Sequence, residues 1–438
     1  MAIVLFRCDA TPEPNTVLTI PFVFISFPIV FVLFLSGGAA GDGNLVVSEG
    51  QGYALLITGA VLASWDNHAG RINGASRAEV ITAFEGYYNF WKEMCQNSNE
   101  GSGCQPGGGN MCVDDAGQQS VCLPDWRHSK YGGTNAAGPA PDGDEDAIVG
   151  IILALKALES DTNKPSWYNE ARKWADASST AFFEYNVDKS RGDHRLQKLG
   201  ACWGGWEGNG NNPSYLSPGS YRVMRDYQSS FPAGERDGSY NAVPSDEWDK
   251  LVATSHEMIL ATQCTGDGAM VPNWVTVGTD SNGNIIHTNG SFSGSGTPQY
   301  EYGSEASRTT WRVAFDAALY PQRSSDWSPY LSPFQVRLDA DFNNNGWSSN
   351  AFPPCRGPRT YQDITLFDSW LYNAFIYGPT LSALVASPPS IPNAQAMIDA
   401  AGEKLTDLPR GYFSRSWALL ANLLLSGAME DAGRTLNN

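Results

Sequence analysis

Apolar residues fall along this chain in two kinds of window. In the first they surround the whole helix circumference, as in Tyr53-Ala54-Leu55-Leu56-Ile57 continuing through Ala60-Val61-Leu62 to Trp65, and again in 147–155. In the second they occupy one side only. Val80, Phe84, Tyr87, Tyr88 and Trp91 mark one face of 76–93, and Trp167, Ala171, Trp174, Ser178 and Phe182 mark one face of 166–185. A helix that is apolar all round is buried on every side, and a half-apolar one covers it. Further helices are expected near Tyr221 and over 246–262, 309–319, 364–386, 392–405 and 412–428. Strand-like alternation is confined to Trp274-Val275-Thr276-Val277 and Asn284-Ile285-Ile286-His287. The alternation of fully buried with half-buried helices predicts an all-α architecture, an inner ring wrapped by an outer one. No compositional break divides the chain and no short-period repeat appears.

Both all-apolar windows open on acidic residues. Ser48-Glu49-Gly50-Gln51 reads as a capping box, Ser48 capping the helix and Gln51 reaching back, with Glu49 at the first helical position between glycines that admit a close ligand. The plainer reading of Glu49 is a charge that complements the helix dipole. Asp142-Gly143-Asp144-Glu145-Asp146 opens the second window. A calcium loop would need Gly at its sixth position and Glu at its twelfth, where this chain has Ala147 and Leu153.

Charge and composition narrow the field. The 438 residues carry a formal charge of −18, which argues against a nucleic-acid partner. Fourteen Trp residues suggest stacking platforms for flat ligands such as sugar rings, although Trp203 and Trp206, set among glycines, read equally as core. The five histidines show no metal-ligand spacing, and there is no phosphate loop or Gly-x-Ser-x-Gly elbow. No cofactor is expected. An uncharged run begins at Val17 and ends at Ser36, about the length that crosses a bilayer, followed by small residues. It reads as a signal peptide, a membrane anchor or a buried helix, with export favoured; residues 1–40 are then leader and 41–438 one domain, with 95–122 as an insertion. Cys95, Cys104, Cys112 and Cys122 cluster in a glycine-rich insertion over 95–122 without CxxC spacing, so local disulfides in an oxidising compartment are expected. Seven cysteines follow the apolar run, which leaves at least one without a partner in the chain.

Four segments in order resemble glycoside hydrolase family 8: Ser48-Glu49-Gly50-Gln51-Gly52-Tyr53; the Asp-x-Asp-x-Asp run from Asp142; Asn212-Pro213-Ser214-Tyr215-Leu216-Ser217-Pro218; and Glu305-Ala306-Ser307-Arg308-Thr309-Thr310-Trp311-Arg312. The resemblance implies an (α/α)6 barrel and inverting, endo-acting hydrolysis of a β-1,4-glycan. A β-1,4-glucan is the first expectation, with chitosan or xylan as alternatives. It also implies Glu49 as general acid, Asp144 with Asp142 nearby as the carboxylate that holds a distorted sugar, and Trp126, Trp203, Trp206, Tyr215 and Arg308 along the cleft. The family's base is an Asp preceded by Tyr, where this chain has Ser304-Glu305. Its barrel also has a helix ahead of the acid, where this chain has the apolar run from Val17.

Inversion needs one protonated carboxyl to assist the leaving oxygen and one ionised carboxyl to activate water on the opposite face, about 6.5–9.5 Å away. Burial and a neighbouring carboxylate should outweigh the helix dipole and raise Glu49 above an ordinary Glu. The expected protein is an exported monomer acting on a polysaccharide. A glycan-binding cell-surface protein that has lost turnover is the competing class, suggested by the altered base position.

Overall fold

The computed structural model describes residues 5–6, 22–23, 45–68, 75–96, 123–129, 134–136, 138–201, 203–207, 210–236, 238, 240–264, 269–288, 299–343, 346–347, 352–356, 363–385, 391–406 and 412–437. Of the apolar run from Val17 to Ser36 this includes only β2 (Phe22–Val23), paired antiparallel with β1 (Leu5–Phe6). The choice between leader, anchor and barrel helix otherwise lies outside the described residues. Among them no helix is long and apolar enough to cross a membrane.

The helices are α1 (Ser48–Ala63), the single turn α2 (Trp65–His68), α3 (Arg77–Gln96), α4 (Pro141–Ala157), α5 (Tyr168–Asn186), α6 (Pro218–Ser230), α7 (Ser245–Thr262), α8 (Ala306–Leu319), α9 (Ser328–Phe342), α10 (Ala374–Leu381), α11 (Ala394–Thr406), α12 (Tyr412–Leu425) and α13 (Ala428–Asn437). α1, α4, α6, α8, α10 and α12 touch in that order, and α12 returns to α1, so six inner helices close a ring. α3 covers α1, α5 covers α4 and α7 covers α6, with α9 and α11 continuing the outer layer. This is an (α/α)6 barrel. α13 contacts α1, α4, α8 and α12, and its Thr435 hydroxyl donates to the Ala63 carbonyl at the far end of α1.

Glycines set the closest contact of the ring. Gly52 lies against Gly143, and seven residues further along both helices Gly59 lies against Gly150. The equal steps show that α1 and α4 run parallel. A Cβ on Gly143 would stand 2.6 Å from the Glu49 amide nitrogen, so only glycine permits this approach. The acidic starts of the two helices are thereby brought side by side at one end of the barrel.

Short strands gather around helix starts at that end. β3 (Leu45–Val47) leads into α1 and pairs with β4 (Arg127–Ser129), which pairs with β5 (Thr134–Ala136). β6 (Val187–Arg191) and β7 (His194–Gln197) form a hairpin, as do β8 (Thr276–Thr279) and β9 (Ile285–Thr288). β10 (Glu301–Tyr302), just ahead of α8, runs parallel to β12 (Asp363–Leu366), and β11 (Cys355–Arg356) pairs with β12.

Three expectations are corrected here. Ser48 does not cap α1: Val47 holds the cap position without a side-chain bond, and the Ser48 hydroxyl is buried with no hydrogen bond among the described residues. The Ser48 amide is instead satisfied by the Trp126 carbonyl at 2.9 Å, so Glu49 is the second helical residue. The helix expected over 364–386 is broken: residues 363–366 form β12 with Ile364 and Leu366 buried, a 3-10 turn covers Trp370–Tyr372, and α-helix begins only at Ala374. The helix α9, with Pro333 inside it, and the final helix α13 are additional to those expected.

A disulfide joins Cys264, just after α7, to Cys355 in β11. Cys95 is a buried free thiol, so local bridging does not include it, while Cys104, Cys112, Cys122 and Cys202 lie outside the described residues.

Candidate active site

Arg308, the third residue of α8 and 2% exposed, reaches across the ring to two other helix starts. Its Nη1 donates to Glu49 Oε1 at 2.8 Å and to Asp142 Oδ2 at 3.3 Å. Its Nη2 donates to Glu305 Oε2. Tyr215, Phe413 and Trp417 rings surround the guanidinium, with centroids 5.4, 5.8 and 6.0 Å away. Glu49 and Glu305, 256 positions apart in the chain, therefore meet on opposite nitrogens of one guanidinium.

Glu49 is fully engaged. Tyr53, one helical turn on, donates to Oε1 at 2.7 Å, and Tyr412 at the start of α12 donates to Oε2 at 2.9 Å. Burial first, and Asp142 second, push its carboxyl up to about 7, against the opposing pull of Arg308 and Tyr53. The expected direction is found, but the neighbouring carboxylate is Asp142 rather than Asp144.

Asp144 points elsewhere. Two residues along a helix turn the side chain by about 200°, so if Asp142 faces the barrel mouth, Asp144 faces the outer layer. Its Oδ2 accepts from Asn186 of α5 at 3.0 Å, its Oδ1 has no hydrogen bond among the described residues, and burial raises its carboxyl well above the usual range. The side chain is fully buried and, among the described residues, forms no ion pair with Arg308, which pairs with Glu49, Asp142 and Glu305. Asp142, Glu145 and Asp146, at the i, i+3 and i+4 spacing, are the residues that face α8. Glu145 and Asp146 pair with Arg312, one turn beyond Arg308: Asp146 accepts both guanidinium nitrogens, and Glu145 lies 3.1 Å away as an ion pair without hydrogen-bond geometry. Burial raises both carboxyls, with Arg312 opposing.

Glu305 precedes α8 on a turn fixed by Asn273, whose Oδ1 accepts from the amides of Gly303 at 3.2 Å and Ala306 at 2.9 Å. Asn212 adds a second donor, its Nδ2 lying 2.6 Å from Glu305 Oε2. Asn212 is itself held by Ser214, whose amide and hydroxyl donate to Oδ1 at 2.9 and 2.7 Å.

Trp126 is half-buried beside the start of α1, with the Arg127 guanidinium 4.5 Å from its ring. Trp203 is 38% exposed. Trp206 is 8% exposed with its ring 5.8 Å from that of His194, which favours its core reading. The sequence reading missed Tyr53, Tyr412, Asn212 and Asn273. Tyr53 was legible, since it sits four residues after Glu49 on the same face, and Asn212 opens the third of the four family-like segments; Tyr412 and Asn273 carry no local signal. Among the described residues no group of three or more His, Cys, Asp or Glu is arranged to hold a metal ion.

A closed ring of helices with carboxyls at one mouth defines the class: an (α/α)6-barrel protein with an acidic rim. No family model matches the chain. Endoglucanase 2 of Ruminiclostridium josui is 27% identical over 201 residues, 45% of this chain and 35% of that protein, and endoglucanase C of Ruminiclostridium cellulolyticum is 26% identical over the same length. The match thus spans about a third of the length of these curated relatives. The fold recurs in a β-1,3-1,4-glucanase from Paenibacillus sp. X4 (TM-score 0.56, 15% identity, 88% of this chain and 83% of that one). It recurs too in an endo-β-1,4-glucanase from Acetobacter xylinum (TM-score 0.52, 16% identity, 92% and 95%). The resemblance to glycoside hydrolase family 8 therefore stands on motifs, relatives and fold together.

Proposed function

We propose that this protein is a glycoside hydrolase that cleaves a β-1,4-linked polysaccharide in an endo fashion with inversion, β-1,4-glucan first. The observation that carries the reading is the pair of carboxyls on Arg308. Glu49, raised to about 7, holds a proton at mildly acidic pH and serves as general acid. Glu305, bonded to a guanidinium and an amide, serves as the base that activates water. Arg308 bonds both carboxyls, and the reading requires them to stand about 6.5–9.5 Å apart when water and sugar enter between them. Asp142 takes the place first given to Asp144, because it is the carboxyl that shares Arg308 with the acid. Trp126, Trp203 and Tyr215 are proposed to stack sugar rings. The endoglucanase names of the two relatives support the substrate class, and the buried disulfide suits an oxidising, extracellular setting.

Release of reducing ends from carboxymethyl-cellulose, chitosan and xylan tests the reading. The expected result is release from carboxymethyl-cellulose, loss in Glu49→Gln and Glu305→Gln, and products that appear by NMR first as the α-anomer. Binding without release by the wild-type protein would instead support the glycan-binding class.

A further inference from the structure

The geometry points to Asn212 as the positioning residue that decides which oxygen of Glu305 acts. This deepens the proposed function and rests on it. Both donors to Glu305, Asn212 Nδ2 and Arg308 Nη2, address the same oxygen, Oε2. Among the described residues Oε1 accepts no hydrogen bond, and the side chain keeps partial exposure. A carboxylate with one oxygen clamped from two sides presents the other, so Oε1 takes the proton from water. The water oxygen then bonds to the anomeric carbon, the glycosidic C–O bond breaks, and the leaving oxygen takes its proton from Glu49.

Asn212 is suited to this by its own restraint. Ser214 fills Oδ1 with two hydrogen bonds, which fixes the amide orientation and leaves Nδ2 the end that faces Glu305. The Asn212 side chain is almost wholly buried, so it contacts the base and not the sugar. The arrangement also answers the extra methylene of Glu over Asp. A longer side chain has one more torsion to fix, and the amide from a second segment of chain fixes it.

Asn212→Ala, Asn212→Asp and Ser214→Ala test this by steady-state kinetics on carboxymethyl-cellulose. Loss of a hydrogen bond to a charged group predicts kcat down about tenfold to a hundredfold in Asn212→Ala, with KM nearly unchanged. Because the lost donor favours the charged carboxylate, the low-pH limb of the rate profile moves to higher pH. Asn212→Asp, nearly isosteric and checked for folding by thermal melting, moves it further, and Ser214→Ala moves it less. A rise in KM alone, or a kcat loss with the low-pH limb unmoved in all three folded variants, overturns the assignment. If the wild-type protein releases nothing, or Glu305→Gln keeps full activity, the hydrolase reading fails and takes this one with it. Full activity of the Asn212 variants in an enzyme that needs Glu305 refutes this one alone.

Discussion

At the residue scale the site is governed by an imbalance of charge. Five carboxyls at the mouths of α1, α4 and α8 (Glu49, Asp142, Glu145, Asp146 and Glu305) share two buried guanidiniums, Arg308 and Arg312, and a sixth, Asp144, has an amide from Asn186 instead. Buried carboxyls without a cation each tend to keep their protons, and the raised values of Glu49, Asp144, Glu145 and Asp146 follow. For Glu49 the direction fixes the sign of two pH effects. In the role of general acid proposed for it Glu49 must be protonated, so kcat/KM should fall as pH rises through about 7, and Glu49→Gln should lower kcat by about 10²–10⁴-fold. Its folded value lies above its unfolded 4.5, so the folded state binds the extra proton between 4.5 and about 7, and stability is lost as pH rises through that window. The loss is about 3 kcal/mol. Glu49→Gln should therefore melt higher than wild type at pH 8 and alike at pH 4, which differential scanning calorimetry reads. Asp142→Asn removes the second cause of the shift and should move the high-pH limb of the rate profile downward; Asp144→Asn, on the other side of α4, should leave that limb in place. The sequence singled out Glu49, but taking Asp144 as the carboxylate beside it followed the spacing of a motif rather than the phase of a helix.

At the element scale the chain was most legible where periodicity was strongest. The windows opening at Tyr53 and Ala147 are apolar on every face because both helices lie in the inner ring, and the half-apolar windows are the outer α3 and α5. Legibility failed where proline or short strands interrupt the pattern. Pro333 hid α9, and the apolar residues after Ile364 were read at helical spacing although the first four alternate as β12. That strand matters, since its parallel partner β10 leads directly to the turn that carries Glu305. The bonds from Asn212 and Asn273 to the turn that carries Glu305 were not legible, although Asn212 itself opens a family-like segment, because each joins segments far apart in the chain. Packing of α1 on α4 gives the element-scale prediction. Gly52→Ala would drive a methyl group into the Gly143 carbonyl, backbone that cannot rotate away, and should destabilise by about 2–3 kcal/mol or more, measured by denaturant unfolding.

At the scale of the whole molecule, the described residues supply six inner helices and five outer ones, with α13 packed across the ends of α1 and α8 opposite the rim. The disulfide ties residues 91 positions apart, and a loop of that length implies stabilisation of about 4.6 kcal/mol in the chain-entropy view. Reduction should lower the melting temperature measurably, and Cys264→Ser with Cys355→Ser should reproduce the drop without reductant.

The paired glycines have a last consequence for anyone rebuilding this protein. Where Gly52 meets Gly143 and Gly59 meets Gly150, the two helices fit like a dovetail joint, with no side chain to shim the gap. In a chimaera with another barrel, α1 and α4 would have to be transplanted together, since either one alone would meet a surface cut for a different mate and shift the acid out of line.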